Sequence, residues 1–489
     1  MNILIIDAGS SSMRGVLFTE KGRITDQKQI QYHPVYGENG IYVEQDPLDY
    51  KMALWEIMEW AGETVKGISD AVEAIGLTSQ RSSCICIEHK GNPIGNAICW
   101  QDKRTIPICK TLETHNAEIF DKSGALVNSV FLGPKLTWIH KNRTEVYKRV
   151  WKFMTIADYL LYLLTGNTCT DDTYASRTHL MDLKTHTWDS ALLDYFSVEK
   201  QKLCEICPVG SCVGTLRHEA AALTGMPEGI PVYSAGGDQQ CALVGQGVFN
   251  QGDVSVTLGT GEFIAMQLKQ LPVQRKPQVI YNTSAIRGEY IVEFGAVTCC
   301  SALDWFMREF YPDRNYEKIG SSLMESKPRA SGCIALPYFQ GRITPDQNHS
   351  AKAVFAGISL NTTKADLLRA FVEGIGIETC NGIEEMPAEP GRILVNGGLT
   401  HTPEICQILA DVLGRPIYVS NEQDATALGA CIVTMVSMGC FQDAAGAYKN
   451  IRRNPLTDVF MPRRENMDIY RKLKEENREL YRRIYESPV

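Results

Sequence analysis

The sequence predicts an α/β protein built from two related domains that face one another across a catalytic cleft. Three observations predict it. A unit of apolar strand, glycine- and hydroxyl-rich turn and returning strand runs from Ile3 to Phe18 and again from Val254 to Met266, about half a chain apart. Short apolar strands alternate with helical patterning along the whole length. The 489 residues also exceed what one ordinary core organises, so two large domains are expected, 1–246 and 247–489.

In the first unit a buried strand, Ile3 to Ile6, leads into the turn Asp7 to Ser12 and back through Arg14 to Phe18. Asp7 offers a carboxylate for a hydrated metal ion and Gly9 lets backbone approach closely. Ser10 and Ser11 offer donors for phosphate oxygens, and Arg14 a guanidinium. The turn is not a P-loop, which needs GxxxxGK[ST] before a helix; taken alone, a serine-rich hairpin turn is equally ordinary. Asp46 and Pro47 start a helix, an N-cap acid followed by proline, with Leu48, Met52, Trp55 and Met58 as its apolar face. A strand through Ile75 to Thr78 ends in Ser79-Gln80-Arg81-Ser82-Ser83, polar groups at a strand end where substrate contacts belong. Trp100 can wall a small hydrophilic ligand, while Asp102 and Arg104 read better as a structural ion pair. Helical patterning returns at Leu136 to His140 and at Ile156 to Leu164, which Gly166 terminates. Thr170 to Trp188 reads as strand and loop.

Near mid-chain, Ser234 to Gln240 reads SAGGDQQ after the apolar Val232 and Tyr233. A carboxylate just past paired glycines suits a general base for a small hydroxyl, so Asp238 is the candidate base; a plain turn aspartate is the alternative. The turns near residues 9 and 260 favour the base, because all three frame one site. Gly259-Thr260-Gly261 is a phosphate-sized turn after Val254 to Leu258, and Gly397-Gly398 after Ile393 to Asn396 lets a flat base or ribose lie against backbone. Thr363 and Asp366 form a capping box for a long helix with Leu367, Phe371 and Ile375 on one face. The helix following Asp424 is small-sided at Ala425, Ala427, Gly429 and Ala430, for close packing. Arg463 to Glu486 reads as a solvated helical tail.

With 49 basic against 57 acidic residues and no basic cluster, nucleic acid is excluded as a partner and a small soluble substrate is favoured. The sixteen cysteines are scattered in apolar contexts, which indicates reduced, buried thiols. Cys204, Cys207 and Cys212 with His218 have zinc-ligand chemistry without a standard paired spacing. No apolar run approaches the roughly 20 residues of a membrane span and the N-terminus has no signal-peptide pattern, so the expected location is cytoplasmic, without membrane partners. Self-association as a homodimer is compatible with this composition.

These motifs together resemble the FGGY carbohydrate kinase family, within the actin, Hsp70 and sugar kinase superfamily. The likeness runs from DAGSSSMR at Asp7 to ATALGA at Ala425. Between them lie TSQR at Thr78, WQDKR at Trp100, KLTWI at Lys135, ASRT at Ala175, GGDQQ at Gly236, LGTGEF at Leu258 and LPYFQGR at Leu336. The resemblance implies two ribonuclease H-like (actin-like ATPase) domains, sugar bound mainly to the first and ATP, with Mg2+, mainly to the second. By that analogy Asp238 takes the proton from the accepting hydroxyl and Asp7 holds the magnesium. Ser10, Ser11 and Arg14 meet phosphates, with Gly259 and Thr260 on the opposite side. Gly397 and Gly398 lie against the adenosine, while Arg81, Ser82, Trp100, Asp238 and Gln239 line the sugar site.

Among subfamilies, TSQR, WQDKR, ASRT and GGDQQ are most similar to glycerol kinase. Members of that subfamily usually carry an acidic residue after the TSQR arginine and a tyrosine before the position of Phe131. Ser82 and Val130 stand there instead, and Leu132 stands where a small polar residue or proline is usual. The expected activity is therefore ATP-dependent phosphorylation of a primary hydroxyl on a small ketose such as xylulose, a polyol or a sugar acid, with glycerol as the alternative. A sugar-responsive binding protein that has lost catalysis is a reading of another class, because fold does not dictate function; the intact Asp7 and Asp238 argue against it.

Overall fold

The computed structural model describes residues 2–66, 71–311, 315–342, 344, 346, 348, 350–420, 422, 424–452 and 457–486. Two main sheets repeat one plan. The first comprises β1 (Asn2–Ala8), β2 (Ser12–Thr19), β3 (Ile24–Gln31), β4 (Val72–Ser79), β5 (Cys212–Thr215) and β6 (Pro231–Gly237), in the order β5-β6-β4-β1-β2-β3. Strands β1 to β3 form an antiparallel meander, β4 and β6 run parallel to β1, and β5 closes the edge antiparallel. The second comprises β7 (Val254–Leu258), β8 (Gly261–Leu268), β9 (Ile280–Thr283), β10 (Tyr290–Thr298), β11 (Ile393–Asn396), β12 (Ile417–Ser420) and β13 (Thr457–Phe460), ordered β9-β10-β8-β7-β11-β12-β13. Again an antiparallel meander, β7-β8-β10, is extended by two parallel strands, β11 and β12. The repetition seen in two hairpins thus extends to whole-sheet topology, as the two-domain actin-like expectation requires.

Burial follows strand position. All seven residues of β1 are buried; a central strand covered on both faces favours the apolar run Ile3 to Ile6, and the polar Asn2 and Asp7 stand near its two ends. Strand β3, ITDQKQIQ, is largely exposed, and its polar side chains suit an edge that must not recruit another strand.

Helix α1 (Pro47–Lys66) starts as expected, with the Leu48 amide donating to Asp46 Oδ1 at 2.9 Å. Its buried face is different. Tyr50, Ala53, Leu54, Ile57, Met58 and Ala61 face inward, whereas Leu48 and Met52 are more than half exposed. The 3.6-residue period runs from Tyr50, whose ring is buried and whose hydroxyl bonds Gln45 and Gln80, rather than from Leu48. Helices α2 (Leu132–Asn142) and α3 (Ile156–Thr165) appear where the patterning placed them, and Gly166 caps α3 in the left-handed region at φ 80°.

Helix α4 (Asp238–Gln246) follows β6, and α5 (Cys300–Phe310) follows β10. The Thr363–Asp366 capping box starts α6 (Lys364–Glu385), which is buried around most of its circumference and not on a single face. Helices α7 (Pro403–Leu413), α8 (Ala425–Ser437) and α9 (Arg464–Tyr481) also belong to the second half. Close packing of the small-sided helix holds. A Cβ on Gly429 would lie 1.8 Å from the Cys241 carbonyl oxygen, and one on Gly245 1.9 Å from that of Ala425, so α4 and α8 cross backbone against backbone. Through this crossing α8, from the second half, packs beneath the first sheet.

The solvated tail is overturned. Tyr470, Leu473 and Tyr481 of α9 are buried, Tyr470 donates to Glu373 Oε1 at 2.9 Å, and Asn477 donates to the Ala335 carbonyl at 3.0 Å. Its charges occupy one face only, so mean polarity hid an amphipathic docking helix. Among the described residues no helix is long and apolar enough to cross a membrane, and the cysteines are free thiols.

Candidate active site

Three strand ends in register assemble the first group of side chains. Asp7 of β1 lies opposite Thr78 of β4, and Thr78 opposite Gly236 of β6, so Asp7, the Ser79–Arg81 turn and Asp238 emerge at one end of the sheet. The Gly236 carbonyl accepts from Thr78 Oγ1 at 2.7 Å and from the Tyr174 hydroxyl at 2.8 Å. Glycine is required twice here. Gly236 has φ +105°, and a Cβ on Gly237 would lie 2.7 Å from Cδ of Arg81. The Gly237 amide donates to Thr173 Oγ1 at 2.9 Å, and Ser234 donates to Asp171. The stretch expected to be strand and loop therefore contains a short helix, Asp172–Ala175, that cradles the Gly-Gly-Asp turn.

Asp238 is the first residue of α4. Its Oδ1 accepts from the Gln239 amide at 2.8 Å and lies 3.5 Å from Arg81 Nε, with about a quarter of the side chain exposed. Burial pushes this carboxyl up to about 6, against the pull of the Arg81 cation. Asp7 is also raised by burial, opposed by its hydrogen bond to Arg14.

The turn between β1 and β2 is tied down by its neighbours. The Gly9 carbonyl accepts from the Tyr32 hydroxyl at 2.7 Å and from Gln80 Nε2 at 3.2 Å; Ser10 Oγ accepts from the Trp100 indole at 2.9 Å and donates to Gln80 Oε1 at 3.3 Å. Trp100, expected as a sugar wall, braces the turn at Ser10, while Ser11 is exposed. Arg14, expected at phosphates, donates Nη2 to Asp7 Oδ2 at 2.9 Å and Nη1 to Asp424. Ser82 is buried in the left-handed region, φ 69°, and its hydroxyl has no partner among the described residues; Gln239 is half-buried. Asp102 and Arg104 form the structural pair expected, joined by Glu44.

The second group is equally compact. Gly259 and Thr260 form the turn between β7 and β8, and the α5 start closes over it, with the Cys299 amide donating to the Thr260 carbonyl at 3.0 Å and Cys300 to that of Gly259 at 2.8 Å. Gly397 ends β11 at φ +101°, where a Cβ would lie 2.5 Å from the Leu258 carbonyl oxygen, so this turn rests on the strand leading to Gly259. Gly398 begins the next turn of helix beside Cys300.

Two acids that sequence reasoning missed join the groups. Asp424, just before α8, bonds Arg14. Glu293, in β10, bonds Arg81 and also accepts from Arg177 Nη1 at 3.0 Å and Asn282 Nδ2 at 2.8 Å. The available signal for Glu293 was a lone acid within Ile291-Val292-Glu293-Phe294, and for Asp424 an acid at the start of a small-residue helix. Lys135 opens the KLTWI motif. It is fully buried and donates to the carbonyls of Ser129 at 3.0 Å, Val130 at 2.5 Å and Phe131 at 3.3 Å, fixing the turn that carries Val130. The cysteine cluster is not a metal site in form: Cys204 is buried, Cys212 exposed, and among the described residues no three ligating side chains gather.

Comparison with known proteins bears on the family and the fold. Family models match residues 2–245 as the N-terminal domain, and residues 254–438 as the C-terminal domain, of the FGGY family of carbohydrate kinases. A glycerol kinase from Rhodospirillum rubrum is 30% identical over 491 residues, covering 95% of this chain and 96% of the relative. Among solved structures, a ligand-bound xylulose kinase from Lactobacillus acidophilus superimposes with a TM-score of 0.91 at 22% identity, covering 99% of this chain and 98% of its own. A Plasmodium falciparum glycerol kinase with ADP gives 0.89 at 24% identity, covering 98% of each chain.

Proposed function

The chain belongs to the FGGY family of carbohydrate kinases, phosphotransferases with an alcohol group as acceptor, and we propose that it moves the γ-phosphate of ATP to a primary hydroxyl of an uncharged polyol or ketose of four to six carbons. The observation that carries this reading is Asp238, a recessed carboxylate 3.5 Å from Arg81 at the end of three strands in register with Asp7. Residues 1–246 supply the sugar contacts and the base, and residues 247–489 most of the nucleotide contacts.

Phosphoryl transfer asks for positioning and charge stabilisation more than covalent chemistry. Asp238 accepts the hydroxyl proton as the acceptor oxygen bonds the γ-phosphorus and the bond to the bridging oxygen of ADP breaks. Arg81 orients the acceptor beside Asp238. The backbone of the Gly9–Ser11 and Gly259–Thr260 turns donates to phosphate oxygens, and Gly397 and Gly398 provide a flat surface for the adenosine. A magnesium ion would call on only one or two protein carboxylates. Asp7, a buried acid bonded to Arg14, fits that demand, and no three-ligand cage exists among the described residues. The chemistry such an ion supplies is neutralisation of charge on the phosphates.

Charge balance supports the neutral acceptor. Arg81 is matched by Glu293 and Asp238, Arg177 by Glu293, Arg14 by Asp7 and Asp424, and Arg104 by Asp102 and Glu44. A sugar acid would have to take one of these cations from its partner. Ser82 and Val130 argue against glycerol as the best acceptor, since each missing hydrogen-bond partner in a buried site costs about 1–3 kcal/mol. An ADP-release screen over glycerol, erythritol, pentuloses, hexuloses and gluconate tests the reading. A neutral four- to six-carbon acceptor is expected to give the highest kcat/KM; glycerol or gluconate ranking first overturns the substrate assignment, and no turnover overturns the kinase.

A further inference from the structure

Glu293 is a buried carboxylate from the second half of the chain set among side chains of the first. It is 2% exposed, in mid-strand, where an acid is costly unless every oxygen is matched. Both are. Oε1 accepts from Arg81 Nη1, and Oε2 accepts from Arg177 Nη1 at 3.0 Å and Asn282 Nδ2 at 2.8 Å. Each arginine has a second engagement inside the candidate sugar site. Arg81 turns Nε toward Asp238 at 3.5 Å, and the Arg177 guanidinium stacks on the Phe131 ring, 4.3 Å from its centroid, beside Val130. One carboxylate thus fixes the two cations that reach the candidate base and the turn bearing a candidate specificity position.

We propose that Glu293 is a positioning residue for the sugar acceptor, holding Arg81 and Arg177 apart and in place from across the two halves, so that the acceptor site is complete only when β10 is docked against it. Without its charge two like-charged guanidiniums share one buried space, and Arg81 has Asp238 as its remaining anionic partner. A closer Arg81–Asp238 pair occupies the oxygen that should take the proton. The docking of β10 and its neighbour β9 is itself built. The Gln240 amide nitrogen Nε2 donates to the Thr283 carbonyl at 3.4 Å, the Tyr281 amide donates to the Gly124 carbonyl at 2.9 Å, and the Tyr290 hydroxyl donates to the Leu183 carbonyl at 3.2 Å. Glu293 is the charged member of this seam that reaches a proposed sugar contact.

The inference rests on the kinase reading of the cleft, and the test separates the two. With the best acceptor of the ADP-release screen, Glu293→Gln is expected to lower acceptor kcat/KM by roughly ten- to a hundredfold, the scale of a lost charge-assisted hydrogen bond, while the ATP KM and ADP affinity by calorimetry stay within about twofold. The double variant Glu293→Gln with Arg177→Gln is expected to recover part of the loss, because removing one cation relieves the crowding; Glu293→Asp, which keeps the charge on a shorter arm, is expected to lie between. If Glu293→Gln does not fold, the split between acceptor and ATP parameters in Glu293→Asp decides. Unchanged acceptor kinetics, equal changes for acceptor and ATP, or losses that multiply in the double variant overturn the proposal. A wild type with no acceptor overturns the kinase reading and this inference with it, whereas an active wild type matched by Glu293→Gln overturns this inference alone.

Discussion

Replacing Asp238 with asparagine is the sharpest test of the proposed chemistry, because the change removes the proton acceptor while leaving an oxygen to accept from the Gln239 amide at the helix start. A positioned base is worth roughly a hundredfold to ten-thousandfold in rate, or about 3–5 kcal/mol of barrier at 1.36 kcal/mol per tenfold. Turnover should fall by that factor with ADP affinity unchanged. The pH dependence adds a second, independent number. A base must be ionised, and burial pushes Asp238 from 3.8 up to about 6. Activity should therefore be full above that value and lost as pH falls through it. Ionisation of roughly one-tenth at about pH 5 gives about a tenfold loss of kcat/KM relative to about pH 7.5, whereas an aspartate at its ordinary value would lose less than about a tenth. Initial rates of ADP release across that range, with wild type and Asp238→Asn side by side, measure both. A variant within about threefold of wild type refutes the assignment. So does residual activity in the variant that keeps the same acidic limb, since the limb would then belong to another group, such as Asp171, which burial and Asp172 push to about 7.

Two further substitutions probe the supports of the site. Gly429→Ala puts a Cβ into the backbone of α4, 1.8 Å from the Cys241 carbonyl oxygen, and should destabilise the fold by about 1–3 kcal/mol or more; an unchanged thermal unfolding midpoint would show that the helices can separate at no cost. Lys135→Met keeps the stem but leaves the carbonyls of Ser129, Val130 and Phe131 without their shared donor, so the acceptor KM should rise several-fold with the ATP KM unchanged, and a parallel rise in both would mean a general loss of packing.

The features legible in the sequence are those whose cause is local. The Gly236-Gly237-Asp238 turn could be read because a left-handed backbone and a close approach of Arg81 both demand glycine, and the strand–turn–strand units because burial of β1 and β7 forces apolar runs. The Thr363–Asp366 cap was legible for the same reason: its partners are three residues apart. Failures came where a residue's partner is distant. Leu48 and Met52 fit an apolar face by hydrophobicity alone, but the buried face runs through Tyr50, whose hydroxyl is satisfied by Gln80, thirty residues along the chain. Helix α9 looked solvated because its partners are distant in sequence: Asn466 bonds Asp411, 55 positions earlier, Tyr470 bonds Glu373, 97 earlier, and Tyr481 bonds Asp346, 135 earlier.

The two missed acids sharpen the same point for function. Arg14 and Asp424 are 410 positions apart and Arg81 and Glu293 are 212 apart, so no window of sequence contains both members of either pair. Composition cannot flag them, since an acid in a strand or before a helix is ordinary unless it is buried, and burial depends on the cation that meets it. Yet these pairs connect the proposed acceptor side to the proposed nucleotide side. Asp7 and Asp238 come from one sheet and could be aligned by strand register alone; the Gly259 and Gly397 turns come from the other. Each sheet carries its own group of candidate side chains, and the two groups are joined by acids of the second half, Asp424 and Glu293, that meet Arg14 and Arg81 of the first. Local turn chemistry accordingly points toward phosphate binding, whereas the proposed acceptor contacts of Arg81, Arg177 and the Val130 turn depend on contacts between the halves.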